Sequence, residues 1–192
     1  MSEFSRYDTD SPERRRLPTP DDLVIRPAVH EDIGEIAEIA AAREGQPAGQ
    51  WRSAIGRVYE MSADGRAQLV IACVEESVVG YGKTGHFSVP IGSPSNVAPE
   101  GWYLTGLVVR PAFRRRGLGS RLTLERLAWI ARRSNTAYYF ANERNKVSIE
   151  LHRALGFVKL THDFSHPHAS FEGGAGILFI RNLKDQTDRP RR

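Results

Sequence analysis

Apolar residues recur along this chain in two periods. Leu23, Val24 and Ile25 form a short β-rich run that Pro27 stops. Ile33, Ile36, Ala37, Ala40 and Ala41 then follow at helical spacing, with Glu31 and Asp32 at the expected N-terminus, where acids suit the helix dipole. Trp51, Ile55, Val58 and Tyr59 predict a second helix over 48–62, closed by Asp64-Gly65. Two β-rich runs, 68–74 and 78–87, are joined by Glu75-Glu76-Ser77 and read as a hairpin. Residues 88–99 carry Pro90, Pro94 and Pro99 and read as a loop. A strand is expected over 102–109. The helix expected over 117–133 places Leu118, Leu122, Trp129 and Leu124, Leu127, Ala131 on overlapping apolar faces. A strand over 137–141, a helix over 146–155 and strands over 157–161 and 176–183 complete the pattern. Helices interspersed with strands predict an α/β (α+β) fold of three layers.

Composition adds bounds. The 192 residues are 40% hydrophobic and 26% charged, enough to bury a core. One cysteine, Cys73, excludes an internal disulfide framework and a multi-cysteine zinc module, and it falls in an apolar strand expected to pack in the core. The polar start offers no secretory signal, and no run approaches the roughly 18 apolar residues of a membrane span. The expectation is a soluble, cytoplasmic protein with no membrane partner. Residues 1–20 read as a disordered leader, 21–183 as one domain and 184–192 as a flexible tail.

Charge is uneven. Residues 21–109 hold six bases and twelve acids, net −6, whereas residues 110–133 hold eight arginines and one glutamate, net +7. An anion should meet the second block. There, Leu107-Val108-Val109 runs into Arg114-Arg115-Arg116-Gly117-Leu118-Gly119-Ser120. A strand thus enters a turn, and glycine-spaced residues open a helix. The first N–H groups of a helix lack internal partners and bind anions, helped by the dipole. Gly117 and Gly119 let a diphosphate approach the backbone. No Gly-Lys-Ser/Thr follows, so this is not the nucleotide P-loop. Leu122 stands where a dinucleotide fold wants its third glycine.

With these letters on the page, the chain resembles the GNAT superfamily of acetyl-CoA-dependent N-acetyltransferases. Arg114-x-x-Gly117-x-Gly119 is similar to that family's pyrophosphate loop. Asn145-Lys146-Val147-Ser148, running on through Leu151-His152 to Gly156-Phe157, is similar to its downstream block. Ile25-Arg26-Pro27-Ala28 and Asp32-Ile33 resemble its opening. The resemblance implies a mixed, mostly antiparallel sheet of about seven strands flanked by four helices. It implies acetyl-CoA as cosubstrate, with Arg114, Arg115, Arg116, Gly117, Leu118, Gly119 and Ser120 at its phosphates. The backbone of Leu107 and Val109 would pair with the pantetheine arm, and an N–H near Val108 would support the oxyanion. Asn145 is expected as a helix N-cap, a cofactor contact, or both, with Ser148 packed beside the cofactor.

The implied reaction is direct attack of an amine on the thioester. An alkylammonium of pKa near 10.4 must first lose a proton, costing about 4.6 kcal/mol at pH 7. The family's strand-four glutamate has no counterpart here. Glu100 and Tyr103 are the base candidates, with His86 and Asp163 behind them. The tyrosine that often serves the family as general acid is His152 here, expected to return a proton to the thiolate.

Other residues are weighed on the letters. Asn142 is a turn residue or a lining of the thioester cleft. Trp51, Phe164, Phe171 and Glu172 are candidates to border the acceptor. His162, His166 and His168 with Asp163 suggest metal ligands, but Pro167 and the lack of cysteine favour a metal-free loop. Arg14-Arg15-Arg16 reads as a solvated tail, with no nucleic-acid partner expected. The expected acceptor is a primary amine on a small cationic molecule, such as an aminoglycoside-like compound, a polyamine or an amino-acid derivative. A peptide acceptor, an acyl-CoA sensor and a homodimer stay open.

Overall fold

The computed structural model describes residues 2–3, 17–167, 169–171 and 175–184. Arg14-Arg15-Arg16, His168, Glu172, most of the expected leader and nearly all of the expected tail lie outside the described residues. The main strands are β1 (Val24–Pro27), β2 (Ala67–Val74), β3 (Ser77–Phe87), β4 (Gly101–Val109), β5 (Thr136–Asn142), β6 (Val158–Thr161) and β7 (Gly176–Asn182). The helices are α1 (Ile33–Glu44), α2 (Ala48–Ala63), α3 (Leu118–Ala131) and α4 (Lys146–Ala154). The seven strands take the order β1-β2-β3-β4-β5-β7-β6. The β1–β2, β2–β3, β5–β7 and β6–β7 pairs are antiparallel, and β4–β5 is parallel. This is the α/β (α+β) class that the sequence pattern predicts and the mixed, mostly antiparallel seven-strand sheet with four helices that the family resemblance implies.

The chain divides into two compact units, through both of which β4 and α3 pass. The first comprises Ser11–Gly85 and Leu104–Arg126. Every residue of its β2 is buried, and the alternation explains why. Leu69, Ile71 and Cys73 pack with Ile33, Ile36 and Ile39 of α1 and Ile55 of α2. Val70, Ala72 and Val74 pack with Leu118 and Leu122 of α3. Helices on both faces make β2 a continuous apolar run rather than an alternating one. Between β1 and α1, Arg26 grips the Asp32 carboxylate with Nη1 and Nη2, at 2.7 and 2.9 Å, while Val29 N–H donates to the same carboxylate.

The β2–β3 hairpin turns on Glu75 and Glu76, both left-handed at φ 48° and 64°. This matches the twist of a two-residue turn that asparagine and glycine ordinarily fill. The Asp22 carboxylate accepts the Glu75 N–H at 2.6 Å and helps hold it.

The second unit comprises Met1–Asp10, His86–Tyr103 and Leu127–Arg192. It pairs β5 with β7 along seven positions and β7 with β6. The start of β4 joins at Tyr103 opposite Tyr138. Phe87, Ala98, Tyr103 and Leu178 form its core, with Tyr138, Phe140 and Phe164 packed on them. No helix among the described residues is long and apolar enough to cross a membrane.

Arg126 of α3 is 1% exposed. Its guanidinium donates to Leu122 O, Lys83 O and Thr123 Oγ1. Gly82 makes room for it: a Cβ there would lie 2.8 Å from Arg126 Nε. Gly82→Ala is therefore expected to destabilise the fold by about 2 kcal/mol through overpacking. Thermal unfolding should show a Tm drop of about 4–8 °C.

Candidate functional site

The turn from β4 into α3 lies wholly in the first unit. After Val109 the chain makes a single 3-10 turn, Pro111–Phe113, and an extended Arg114. Arg115 and Gly117 are left-handed, at φ 65° and 81°. Glycine takes that conformation freely, whereas arginine is strained in it. The Arg121 N–H reaches Gly117 O, closing the first turn of α3. Leu118, 1% exposed, anchors that end in the core, while Gly117 lies exposed. Helix geometry leaves the first N–H groups without intrahelical acceptors, so this end of α3 can hold an anion.

The arginines do not form a cluster of free forks. Arg110 donates from Nε to Val78 O and from its N–H to Val79 O. Arg114 Nε donates to Val109 O, and Arg116 Nη1 to Pro18 O. Their charge still raises the local potential.

The backbone of β4 runs close to β3, because a Cβ on Gly80 would lie 2.8 Å from Val108 O. Leu107 O accepts Arg43 Nη1 at 3.4 Å, and Arg43 also pairs with Glu44 at 3.3 Å. Gly106 is left-handed at φ 54°, and a Cβ there would meet Lys83 Cε. Lys83 is the residue the sequence reading missed. Its signal was a lone lysine in the β-rich run Val-Val-Gly-Tyr-Gly-Lys-Thr. Burial lowers its pKa, and the Arg43 charge lowers it further, with Glu44 opposing.

A cleft of about 510 Å³ is lined by His30, Glu31, Glu35, Glu38 and Arg52 among others. It sits toward the N-terminal end of α1, where Glu35 accepts the Val78 N–H. Arg43, which meets Leu107, is eight residues further along α1, about 12 Å at 1.5 Å per residue. The cleft is thus set apart from the middle of β4. Trp51 packs on the α1–α2 core cluster.

The second unit holds the other expected residues. Asn145 caps α4, its Oδ1 accepting the Ser148 N–H at 3.2 Å. Asn142 Oδ1 accepts the Arg144 N–H, the bond of a turn residue. Ser148 Oγ lies 2.7 Å from the Tyr139 hydroxyl. His152 is 2% exposed and stacks on Tyr139, with centroids 3.7 Å apart and planes 7° from parallel. Its Nδ1 lies 2.8 Å from Ser148 O. A carbonyl only accepts, so Nδ1 carries the proton, and a neutral ring then keeps a lone pair on Nε2. Nε2 is also shut away from solvent. The proton-donor role expected of His152 would need Nε2 protonated and within reach of the thiolate, and Nε2 is buried here.

Tyr103 also differs from expectation. It is 2% exposed and donates to Pro99 O at 2.7 Å. Burial, then Tyr138, raises its pKa. In this arrangement the phenol acts as a hydrogen-bond donor. Glu100 is exposed and accepts the Val89 N–H at 3.4 Å. His86 is edge-on to Trp102, and Asp163 accepts from Asn96. Phe164 and Phe171 stand edge to face, and Phe140 contacts both and His166. No group of three or more His, Cys, Asp or Glu suited to a metal occurs among the described residues.

The fold is a mixed α/β sheet with a glycine-spaced turn opening α3, and comparison gives the family. Residues 26–157 match the model of the acetyltransferase (GNAT) family. The chain belongs to that family and is an acyltransferase. No curated protein matches it. Among solved structures, it is similar to phosphinothricin acetyltransferase from Sinorhizobium meliloti in complex with acetyl-CoA. The identity is 18% and the TM-score 0.63, over 89% of this chain and 94% of that one. It is also similar to ribosomal-protein-alanine N-acetyltransferase from Brucella melitensis. There the identity is 20% and the TM-score 0.64, over 83% and 99% of the two chains. The PaiA N-acetyltransferase of Thermoplasma acidophilum, in complex with coenzyme A, has 14% identity and a TM-score of 0.60 over 83% and 98%. At these identities the likeness concerns the fold.

The Lys83 shift gives a pH test. The unfolded chain keeps this proton up to about pH 10.4, and the folded chain releases it lower. Between those values the unfolded state binds more protons, so rising pH favours folding. Lys83→Met is expected to gain most over the wild type near neutral pH. The gap should close toward about pH 10.4, read as Tm across a pH series. A gap independent of pH would remove the buried charge as its cause.

Proposed function

We propose that this chain transfers an acetyl group from acetyl-CoA to a primary amine of a small molecule by direct attack. The observation that carries the reading is the β4–α3 turn. There a left-handed Gly117 and a buried Leu118 present the open N-terminus of a 14-residue helix. Acetyl-CoA supplies the activated thioester. The N–H groups from Arg115 to Ser120 bind its diphosphate, and the backbone of Leu107 and Val109 pairs with its arm. The Val108 N–H supports the oxyanion, since a preorganised donor acts where charge develops. Orientation of both reactants supplies much of the rate. Glu100, exposed and carrying a carboxylate, takes the ammonium proton through water. The thiolate, with a thiol pKa near 8.5, leaves without an obligatory acid. His152 and Tyr139 serve by stacking and by fixing the start of α4. A single buried cysteine suits a cytoplasmic setting.

The net −6 of residues 21–109 supports a cationic acceptor. Lys83 and Arg43 beside the Gly106 bend favour a second reading, in which the amine also carries a carboxylate, as an amino-acid derivative does. Thiol release from acetyl-CoA against polyamines, aminoglycosides, amino acids and short peptides separates the two. Release with amino acids selects the second reading, and release with polyamines or aminoglycosides the first. Release with peptides alone overturns both.

Gly119→Trp is expected to abolish acetyl-CoA binding by filling the turn, with the unfolding transition retained. Isothermal calorimetry reads it, and unchanged affinity would refute the diphosphate assignment.

A further inference from the structure

We propose that residues 17–20, ahead of β1, form a strap that aims the diphosphate-binding turn, and that Thr19 is its positioning residue. The proposal rests on the reading of the β4–α3 turn as the acetyl-CoA diphosphate site.

Three hydrogen bonds join the strap to the turn, across nearly a hundred residues of sequence. The Leu17 N–H donates to Arg115 O at 3.1 Å. The Thr19 hydroxyl donates to Arg116 O at 3.0 Å. Arg116 Nη1 donates back to Pro18 O at 3.3 Å. Thr19 Oγ1 also lies 3.8 Å from where a Cβ on Gly117 would stand.

Peptide planarity turns these contacts into a direction. No peptide bond among the described residues is cis, so each C=O there points opposite the N–H of the next residue. The strap draws the carbonyls of Arg115 and Arg116 to its own side. The N–H groups of Arg116 and Gly117 must then face the other way, toward the face left for the anion. Arg115 is non-glycine at φ 65°, a conformation that persists only when its surroundings hold it. The two bonded carbonyls are that hold.

The strap is stiff and anchored. Pro18 and Pro20 flank Thr19 and restrict its backbone. The Leu23 N–H closes a turn onto Pro20 O, and Asp22 accepts the Glu75 N–H of the β2–β3 turn. Of the Arg116 guanidinium, Nη1 bonds the strap, while the buried Nε has no hydrogen-bond partner. At that position the backbone N–H, not the side chain, is the phosphate donor.

Thr19→Val keeps the shape and removes the donor, and Thr19→Ser keeps the donor. In the full-length chain, calorimetry with acetyl-CoA is expected to show Thr19→Val binding on the order of 5–10-fold more weakly, the worth of one hydrogen bond. Thr19→Ser should bind and unfold like the wild type, whereas Thr19→Val should remain folded with a Tm about 2–4 °C lower, the cost of one internal hydrogen bond. In amide NMR, adding acetyl-CoA should move the Arg116 and Gly117 N–H resonances in the wild type and move them less in Thr19→Val. Wild-type affinity and wild-type shifts in Thr19→Val, with acetyl-CoA bound by the wild type, would overturn the strap alone. A loss that Thr19→Ser fails to restore would also overturn it. A wild type that binds no acetyl-CoA would overturn the strap together with the diphosphate reading.

Discussion

A helix that is to bind an anion at its N-terminus must keep its first N–H groups bare, yet bare donors do not anchor a helix. The β4–α3 turn resolves this by separating the two jobs. Leu118 and Leu122 bury one side of α3 against β2 and β3, while Gly117 leaves the other side open. The fold around this turn follows from that division. β2 must be apolar on both faces, because α3 covers one and α1 with α2 cover the other. β3 and β4 must run close, which Gly80 permits.

A second theme is the pairing of glycine with a long cation. Gly82 faces Arg126, Gly106 faces Lys83 and Gly156 faces Arg181. At Gly82 and Gly106 the missing side chain leaves volume that Arg126 and Lys83 fill, whereas a Cβ on Gly156 would stand 3.6 Å from Arg181, at ordinary contact distance. Burial lowers the pKa of all three cations. For Arg126, three hydrogen bonds to uncharged oxygens offset some of the desolvation. The glycines of β3 and β4 are thus part of the packing rather than points of flexibility.

Proton handling looks different once burial is known. Position 152 matched the place of a family acid, and Tyr103 stood near the place of a family base. Both prove to be more than nine-tenths buried, and each is committed to a backbone carbonyl, Ser148 O and Pro99 O. A group in that state organises its surroundings.

The elements were legible in the letters because their causes are local. Helical spacing in α1 and α2, the β-rich runs and the Arg-x-x-Gly-x-Gly turn each lie within one contiguous stretch. The Asn145 cap was legible for the same reason, since it reaches three residues ahead. The tautomer of His152, the burial of Tyr103, the seat of Lys83 beside Gly106 and the grip of Thr19 on Arg116 were not. Each depends on a partner brought near by the fold or on a loss of solvent. Sequence by itself determined the order of elements and the place of the glycine-spaced turn that opens α3, because hydrogen-bonding geometry and apolar periodicity act over a few residues. Only the tertiary structure decided which backbone carbonyls Thr19, Tyr103 and His152 meet and how deeply Tyr103 and His152 are buried. Those outcomes follow from desolvation and from bonds between segments nearly a hundred residues apart.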